Sequence, residues 1–277
     1  MSLYALWGHK LRAVLTTLGI TIGVFTVGSV TAIIEGLNAS FADQISNLGS
    51  DVFYVSRHAW FSGYDGWLKS QKYKIIDVNT AEYIYDNAEY VEATSPMIRR
   101  RANLKYKEKS MEGIEITGVN HMMPIIEGTE ISEGRFFSPF DVRHRKNVVV
   151  IGENVRKEFF PNTAAVGEKI SIKGHKFLII GLFEKKGKML FNDLDSRVQI
   201  PYLTFKKLIE RDNRGATIAV KSIHPDLLAE AEDEVHNLMR INRGLHPTED
   251  DDFAINQMNT LMDLYNQMTG FLWAVAI

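Results

Sequence analysis

The chain has 277 residues, 45% apolar and 24% charged, with 32 basic against 34 acidic side chains for a formal net charge of −2. That composition supports a folded core and excludes both a chain built wholly of membrane helices and a disordered tail. The charge balance lacks the basic excess that draws proteins to a phosphate backbone, so nucleic acid is not an expected partner. Cysteine is absent, which removes disulfides, thiolate metal sites and cysteine nucleophiles.

From Ser2 to Arg12, a helical wheel gathers Leu3, Leu6, Trp7 and Leu11 on one side and His9, Lys10 and Arg12 on another. Residues 1–12 therefore read as an interfacial cytoplasmic helix or, equally, as the cytoplasmic end of the span that follows. Between Ala13 and Ile34 there is no charged residue. At about 1.5 Å per residue that run reaches roughly 33 Å, enough for a hydrocarbon core of about 30 Å, and we assign a transmembrane helix to residues 13–37. A soluble core helix seldom runs this long without a charge. A secretory signal would have a shorter apolar core and a small-residue cleavage site, which Glu35-Gly36-Leu37 does not supply. Lys10 and Arg12 precede the span, while Glu35 and Asp43 follow it, so these two cations are topology anchors that hold the N-terminus in the cytoplasm. Gly19 and Gly23 form a G-x-x-x-G pair and Gly28 adds another small residue; all three are expected to pack against another helix, within the same polypeptide rather than in a homodimer.

Residues 38–262 alternate short β-like and helical runs and read as a soluble, extracytoplasmic domain. Asp51 to Ser56 is a strand. Asn79-Thr-Ala-Glu82 has the pattern of a capping box, ahead of an apolar stripe at Ala81, Ile84, Tyr85 and Ala88. Tyr90 to Lys105 and Glu112 to Val119 are long strands, and Arg99-Arg-Arg101 reads as a solvated edge. Asn147 to Ile151 suits a buried strand, and Pro161 ends a short helix carrying Val155 and Phe159. Ile170 and Ile172 face Phe177 and Ile179 across Gly174-His175, read as a tight hairpin turn. Further strands are expected at Arg197 to Ile200 and Ala216 to Lys221, followed by a helix entered at Pro225 with Leu228, Ala231, Val235 and Leu238 on its apolar face. Asp252 to Asn256 closes a β–α–β unit. The uncharged stretch from Met268 to Ile277 would cross only about half a bilayer, so residues 263–277 read as the start of a second span in a longer polytopic protein.

Chemistry-bearing motifs are scarce. Gly181 to Met189 has five residues between its glycines, and Met189 where a phosphate loop needs Ser or Thr for magnesium. The histidines form no H-E-x-x-H, and no G-x-S-x-G elbow is present. Glu249-Asp-Asp-Asp252 reads as a solvated acidic turn rather than a calcium loop. No catalytic, cofactor-binding or metal-binding residue is expected, and the chain is read as no enzyme.

The order of segments nonetheless resembles the MacB-type, FtsX-like ABC transporter permeases. The resemblance is carried by His9 to Val24, Asn47 to Val52, Glu133-Gly-Arg-Phe-Phe137 with Asp141, Val148 to Gly152, Phe159-Phe-Pro161, Val166-Gly167, Phe177 to Gly181 and Asp251-Asp-Phe253. It implies an α+β fold: a transmembrane helix, then a two-lobed MacB-like periplasmic core domain. A porter-like β–α–β lobe would occupy about 38–95 and 215–262, and a mainly β inserted lobe about 96–214. It also implies the bacterial inner membrane and four transmembrane helices in the full protein. The implied partners are a separate cytoplasmic ATPase that binds ATP and magnesium, a second permease chain in a homo- or heterodimer, and a periplasmic adaptor. Function would then be export or release of antibiotics, peptides or lipoproteins. The alternative is a membrane-anchored sensor or scaffold without transport.

Overall fold

A computed structural model describes residues 10–46, 51–60, 62–189, 192–210, 212 and 214–257. His9, the rest of the interfacial segment before Lys10, residues 47–50 of the Asn47–Val52 segment and the second span over 263–277 lie outside the described residues. The chain divides into two compact units, one of residues 1–47 with 261–277, the other Leu48–Thr260.

In the first unit, helix α1 runs unbroken over Lys10–Ser46, 37 residues, and so continues past the expected end of the span at residue 37. Three hydroxyls inside its apolar stretch turn back on the helix: Thr16, Thr21 and Thr26 donate to the carbonyls of Arg12, Thr17 and Ile22 at 2.7, 2.8 and 2.7 Å. No hydroxyl of these three needs water, which matters where water is absent.

The second unit is built on one ten-stranded sheet. Its strands are β1 (Val52–Ser56), β2 (Val91–Tyr106), β3 (Lys109–Val119), β4 (Ile131–Gly134), β5 (Val148–Ile151), β6 (Lys169–Ile172) and β7 (His175–Phe183). A small ladder, β8 (Lys188–Met189) with β9 (Asn192–Asp193), stands apart, and β10 (Val198–Pro201), β11 (Thr217–Ser222) and β12 (Ala254–Gln257) complete the set. The helices are α2 (Gly63–Ser70), α3 (Thr80–Asn87), α4 (Met123–Glu127), α5 (Pro139–Arg143), α6 (Glu153–Phe159), α7 (Tyr202–Leu208) and α8 (Leu228–Arg243).

Strand order is β12-β1-β11-β2-β3-β10-β5-β7-β4, with β6 bridging β2 and β7. The 16-residue β2 is the hinge of this layout. Up to Met97 it pairs with β11, and from Ile98 onward with β3. One strand thus serves two lobes: β1, β11 and β12 with α3 and α8 on one side of the handover, β3 to β7 and β10 on the other. In the first lobe β11 and β12 flank β1, both antiparallel to it, so β11–α8–β12 is the expected β–α–β crossover. Phe53, Ile84, Ala231, Val235 and Met239 fill its core. In the second lobe all four residues of β5 are buried, as its uninterrupted valine run requires.

Several local expectations change. Asn79 does not cap α3 with its side chain; its backbone is already helical at φ −70°, ψ −15°. Asp77 closes the preceding turn instead, its Oδ1 accepting from Asn79 N at 2.9 Å and its carbonyl from Thr80 N at 3.1 Å. Tyr85 stands exposed rather than in the apolar stripe. The β6–β7 turn is Lys173-Gly174, both at positive φ (48° and 84°), the signature of a type I′ turn, while His175 already pairs with Ile172. On α8 the fully buried fourth position is Met239, not the half-buried Leu238, because Ala231, Val235 and Met239 keep an i, i+4 row.

The arginine triplet lies inside β2, paired to β3. Arg100 is half-buried and 3.5 Å from Glu210, so it is not simply solvated. Nor is the acidic turn. Asp251 holds His236 at 2.8 Å and Arg240, and Asp252 holds Arg243, because α8 presents these bases to the turn that follows it. Glu249 and Asp250 keep the exposed character expected, Asp250 at 86% side-chain exposure.

Candidate functional site

The predicted site residues sit on α1. Arg12–Ile33 is long and apolar enough to cross a membrane, and none of that stretch is buried. Val14, Leu15, Ile20, Val24, Phe25 and Ile33 stand exposed on all sides of the helix, a pattern that water penalises and lipid accepts. At roughly −0.3 to −0.6 kcal/mol for each such side chain near the bilayer centre, they supply several kcal/mol toward insertion. Lys10 and Arg12 lie at its N-terminal end, both exposed.

A Cβ built on Gly19, Gly23 or Gly28 would meet nothing within 4 Å. Their smallness therefore serves no contact among the described residues. Gly19 and Gly23 share one face, but at about 100° per residue Gly28 falls half a turn round from Gly19. The three do not form a single stripe.

In the second unit, a cavity of about 330 Å³ opens where the lobes meet at β2. Val78, Ala81, Thr94, Pro96 and Val142 form its inner wall. One flank is α3, which brings Glu82, Tyr85 and Asp86; the other is made by His121, Arg143 of α5 and Tyr202 of α7. Asn120 fixes the corner, donating to the Thr94 carbonyl at 2.7 Å and accepting from Met122 N at 2.9 Å. Burial and then the charges of Glu82 and Asp77 push the Tyr202 phenol up. Burial and then Arg143 pull the His121 imidazole down, so the ring is kept neutral at physiological pH. Among these six flank residues the sequence singled out Glu82, as the acid of a capping box, and Tyr85, as core. They are scattered from 82 to 202, so no spacing rule could have gathered them.

The segments that carry the family resemblance prove to be architectural. Gly134, at φ 76°, lies so close to β7 that a Cβ would sit 2.3 Å from the Ile180 carbonyl, and Gly181 is equally tight against Arg135. Asp141 forms a capping box with Ser138 at the start of α5 and takes Arg135 at 2.7 Å. Burial alone would raise its carboxyl, but the bonds from Arg135 and Ser138 bring it below the ordinary carboxylate range. Gly152 lets the β5–α6 turn press on the Asp195 carbonyl. In the stretch from Gly181 to Met189, Gly181 lies inside β7, and Gly187 N donates to Asp195 Oδ1 at 3.0 Å.

Nearby, Arg197 stacks 3.9 Å over Phe183 and pairs with Glu127 at 3.2 Å. Burial pushes the Glu127 carboxyl up against the opposing pull of Arg197 and Gln199. Among the described residues no group of three or more His, Asp or Glu is placed to hold a metal ion.

The MacB-like periplasmic core domain model matches residues 13–238, and the chain belongs to that family. Its curated relatives include the macrolide export ATP-binding/permease proteins MacB of Neisseria gonorrhoeae, 26% identical over 270 residues, and of Bordetella avium, 30% identical over 276. Each alignment covers 98% of this chain but 40% of the relative. The chain thus spans about two fifths of the length of the curated relatives it matches.

Two solved structures share the fold. The periplasmic region of MacB from Actinobacillus actinomycetemcomitans aligns at a TM-score of 0.66 and 21% identity, covering 80% of this chain and 95% of that one. The extracellular domain of the noncanonic ABC-type transporter YknZ from Gram-positive bacteria aligns at 0.56 and 14%, covering 74% and 98%.

Proposed function

We propose that this chain is part of an ABC transporter permease of the MacB and FtsX-like type. In this reading α1 crosses the bacterial inner membrane with its N-terminus in the cytoplasm. The outer body stands on the far side, and further spans in the full protein make it multi-pass. Energy comes from ATP and magnesium bound by a cytoplasmic ATPase, not by the residues described above. The transporter works as a pair of permease chains with a periplasmic adaptor, and it exports or releases antibiotics, peptides or lipoproteins.

The observation that carries this reading is the single unbroken helix from Lys10 to Ser46, which joins a lipid-suited stretch to the family's outer domain through a few residues of chain. A rigid helix passes displacement along its axis, so closure of ATPase subunits on one side of the membrane would move the outer domain on the other. No cargo need pass through the bilayer for such work. Gly19 and Gly23 offer one flat face for a neighbouring helix in the moving bundle, and Gly28 offers another.

A Cβ on Gly19 or Gly23 would meet nothing within 4 Å among the described residues, so Gly19→Leu and Gly23→Leu are chosen to read contacts with other helices. In the reconstituted full-length complex, each is expected to leave ATP hydrolysis running while abolishing the nucleotide-dependent distance change between spin labels on the outer domains. An unchanged distance response would contradict the reading.

A further inference from the structure

The cavity between the lobes carries charges that the fold leaves unused. Glu82 and Asp86 are four residues apart on α3, hence on one face, and like charges so placed repel. Neither makes an ion pair among the described residues. Asp77, which lies nearby, does so with Lys206 at 3.7 Å. Across the cavity Arg143 is likewise without an ion pair among the described residues, although carboxylates line the opposite flank. A cation and two anions thus face one space of about 330 Å³, more than 4 Å apart, without neutralising one another. The same cavity is also lined by Tyr85, Met122 and Tyr202, which supply apolar and aromatic surface.

All three charges are exposed, but they line one concavity of ligand size with a few convergent polar groups, the usual form of a small-molecule site. The complement is a molecule that carries both charges and an apolar body. We propose that the cavity binds a small zwitterionic amphiphile. Its ammonium lies against Glu82 and Asp86, its anionic group on the Arg143 guanidinium, and its apolar body against Tyr85, Met122 and Tyr202. His121, held neutral, supplies a hydrogen-bond partner rather than a second cation. The walls come from both lobes, with α3 from one and α5 and α7 from the other, so the ligand bridges the β2 handover. This assignment stands whether or not the protein transports anything.

Calorimetry on the full chain in lipid nanodiscs at pH 7 tests it with three probes: the dipeptide Phe-Ala, its N-acetyl form lacking the cation, and its amide lacking the anion. Phe-Ala is expected to bind saturably at one site, and each blocked form at least tenfold more weakly. The double variant Glu82→Gln, Asp86→Asn should weaken Phe-Ala about tenfold and erase the penalty for acetylation. Arg143→Gln should erase the penalty for amidation. All three positions are exposed, so circular dichroism should confirm unchanged folding. Failure of Phe-Ala to saturate by about 10 mM would overturn the proposal. So would equal affinity for all three probes, or binding indifferent to both variants.

Discussion

On α1, Ile20, Val24 and Phe25 are 63, 69 and 76% exposed, whereas in the outer body Phe53, Phe177 and Phe205 are fully buried. The same residue types thus sit outside in one unit and inside in the other. Polar groups follow the same inversion: threonine hydroxyls on α1 bond inward to their own helix, while in the body Lys69 and Asp250 face water. What differs is the solvent each unit is made for. An apolar residue is no guide to burial until the surrounding medium is known.

Substitutions can break that comparison one unit at a time. Phe205→Ala should have the largest effect, because the ring is fully buried against Gly118, where even a Cβ would sit 2.7 Å from the ring. A loss of about 3–5 kcal/mol is expected, read as a fall in the thermal midpoint of the outer body, with membrane association unchanged. Val24→Arg should do the reverse. At about 2.5–3.5 kcal/mol for a cation near the bilayer centre, carbonate extraction should release a large fraction of the chain, while unfolding of the outer body stays as in the parent. Both variants disturbing both properties would mean that the units are not independent.

The smallest effect concerns Asp141. Its folded pKa lies below the unfolded value, so it contributes stability above the unfolded carboxylate pKa of about 3.9 and loses it as pH falls through the folded value. Asp141→Asn should lower stability at neutral pH and flatten the acid limb of a stability–pH curve measured below about pH 4. A parallel curve, merely shifted, would show that the Arg135 and Ser138 contacts do not depend on its charge.

What the sequence made legible was whatever a periodicity or a run could encode. The uncharged stretch of α1 and the valines of β5 needed no tertiary context. The Lys173-Gly174 turn was misplaced by one residue because both its residues take positive φ, and a lysine there carries no compositional signal. Helix α2, Gly-Tyr-Asp-Gly-Trp-Leu-Lys-Ser, went unread because two glycines mask its helical character. The bonds of Asp251 and Asp252 to α8 were hidden for another reason: an acidic run looks solvated until the bases facing it are known. The cavity was illegible altogether, since its charges come from α3 and α5 and its neutral polar groups Asn120 and His121 from the loop before α4, which only the fold brings together.

The central claim is that α1 separates its N-terminal end from the outer body across a membrane. These 277 residues contain no cysteine, so Lys10→Cys and Lys176→Cys each introduce a unique thiol within them, at positions exposed in the structure. In intact cells whose outer barrier alone is permeabilised, a membrane-impermeant maleimide should label position 176 and leave position 10 unlabelled until the inner membrane is opened. Labelling of both positions from the same side would contradict the account.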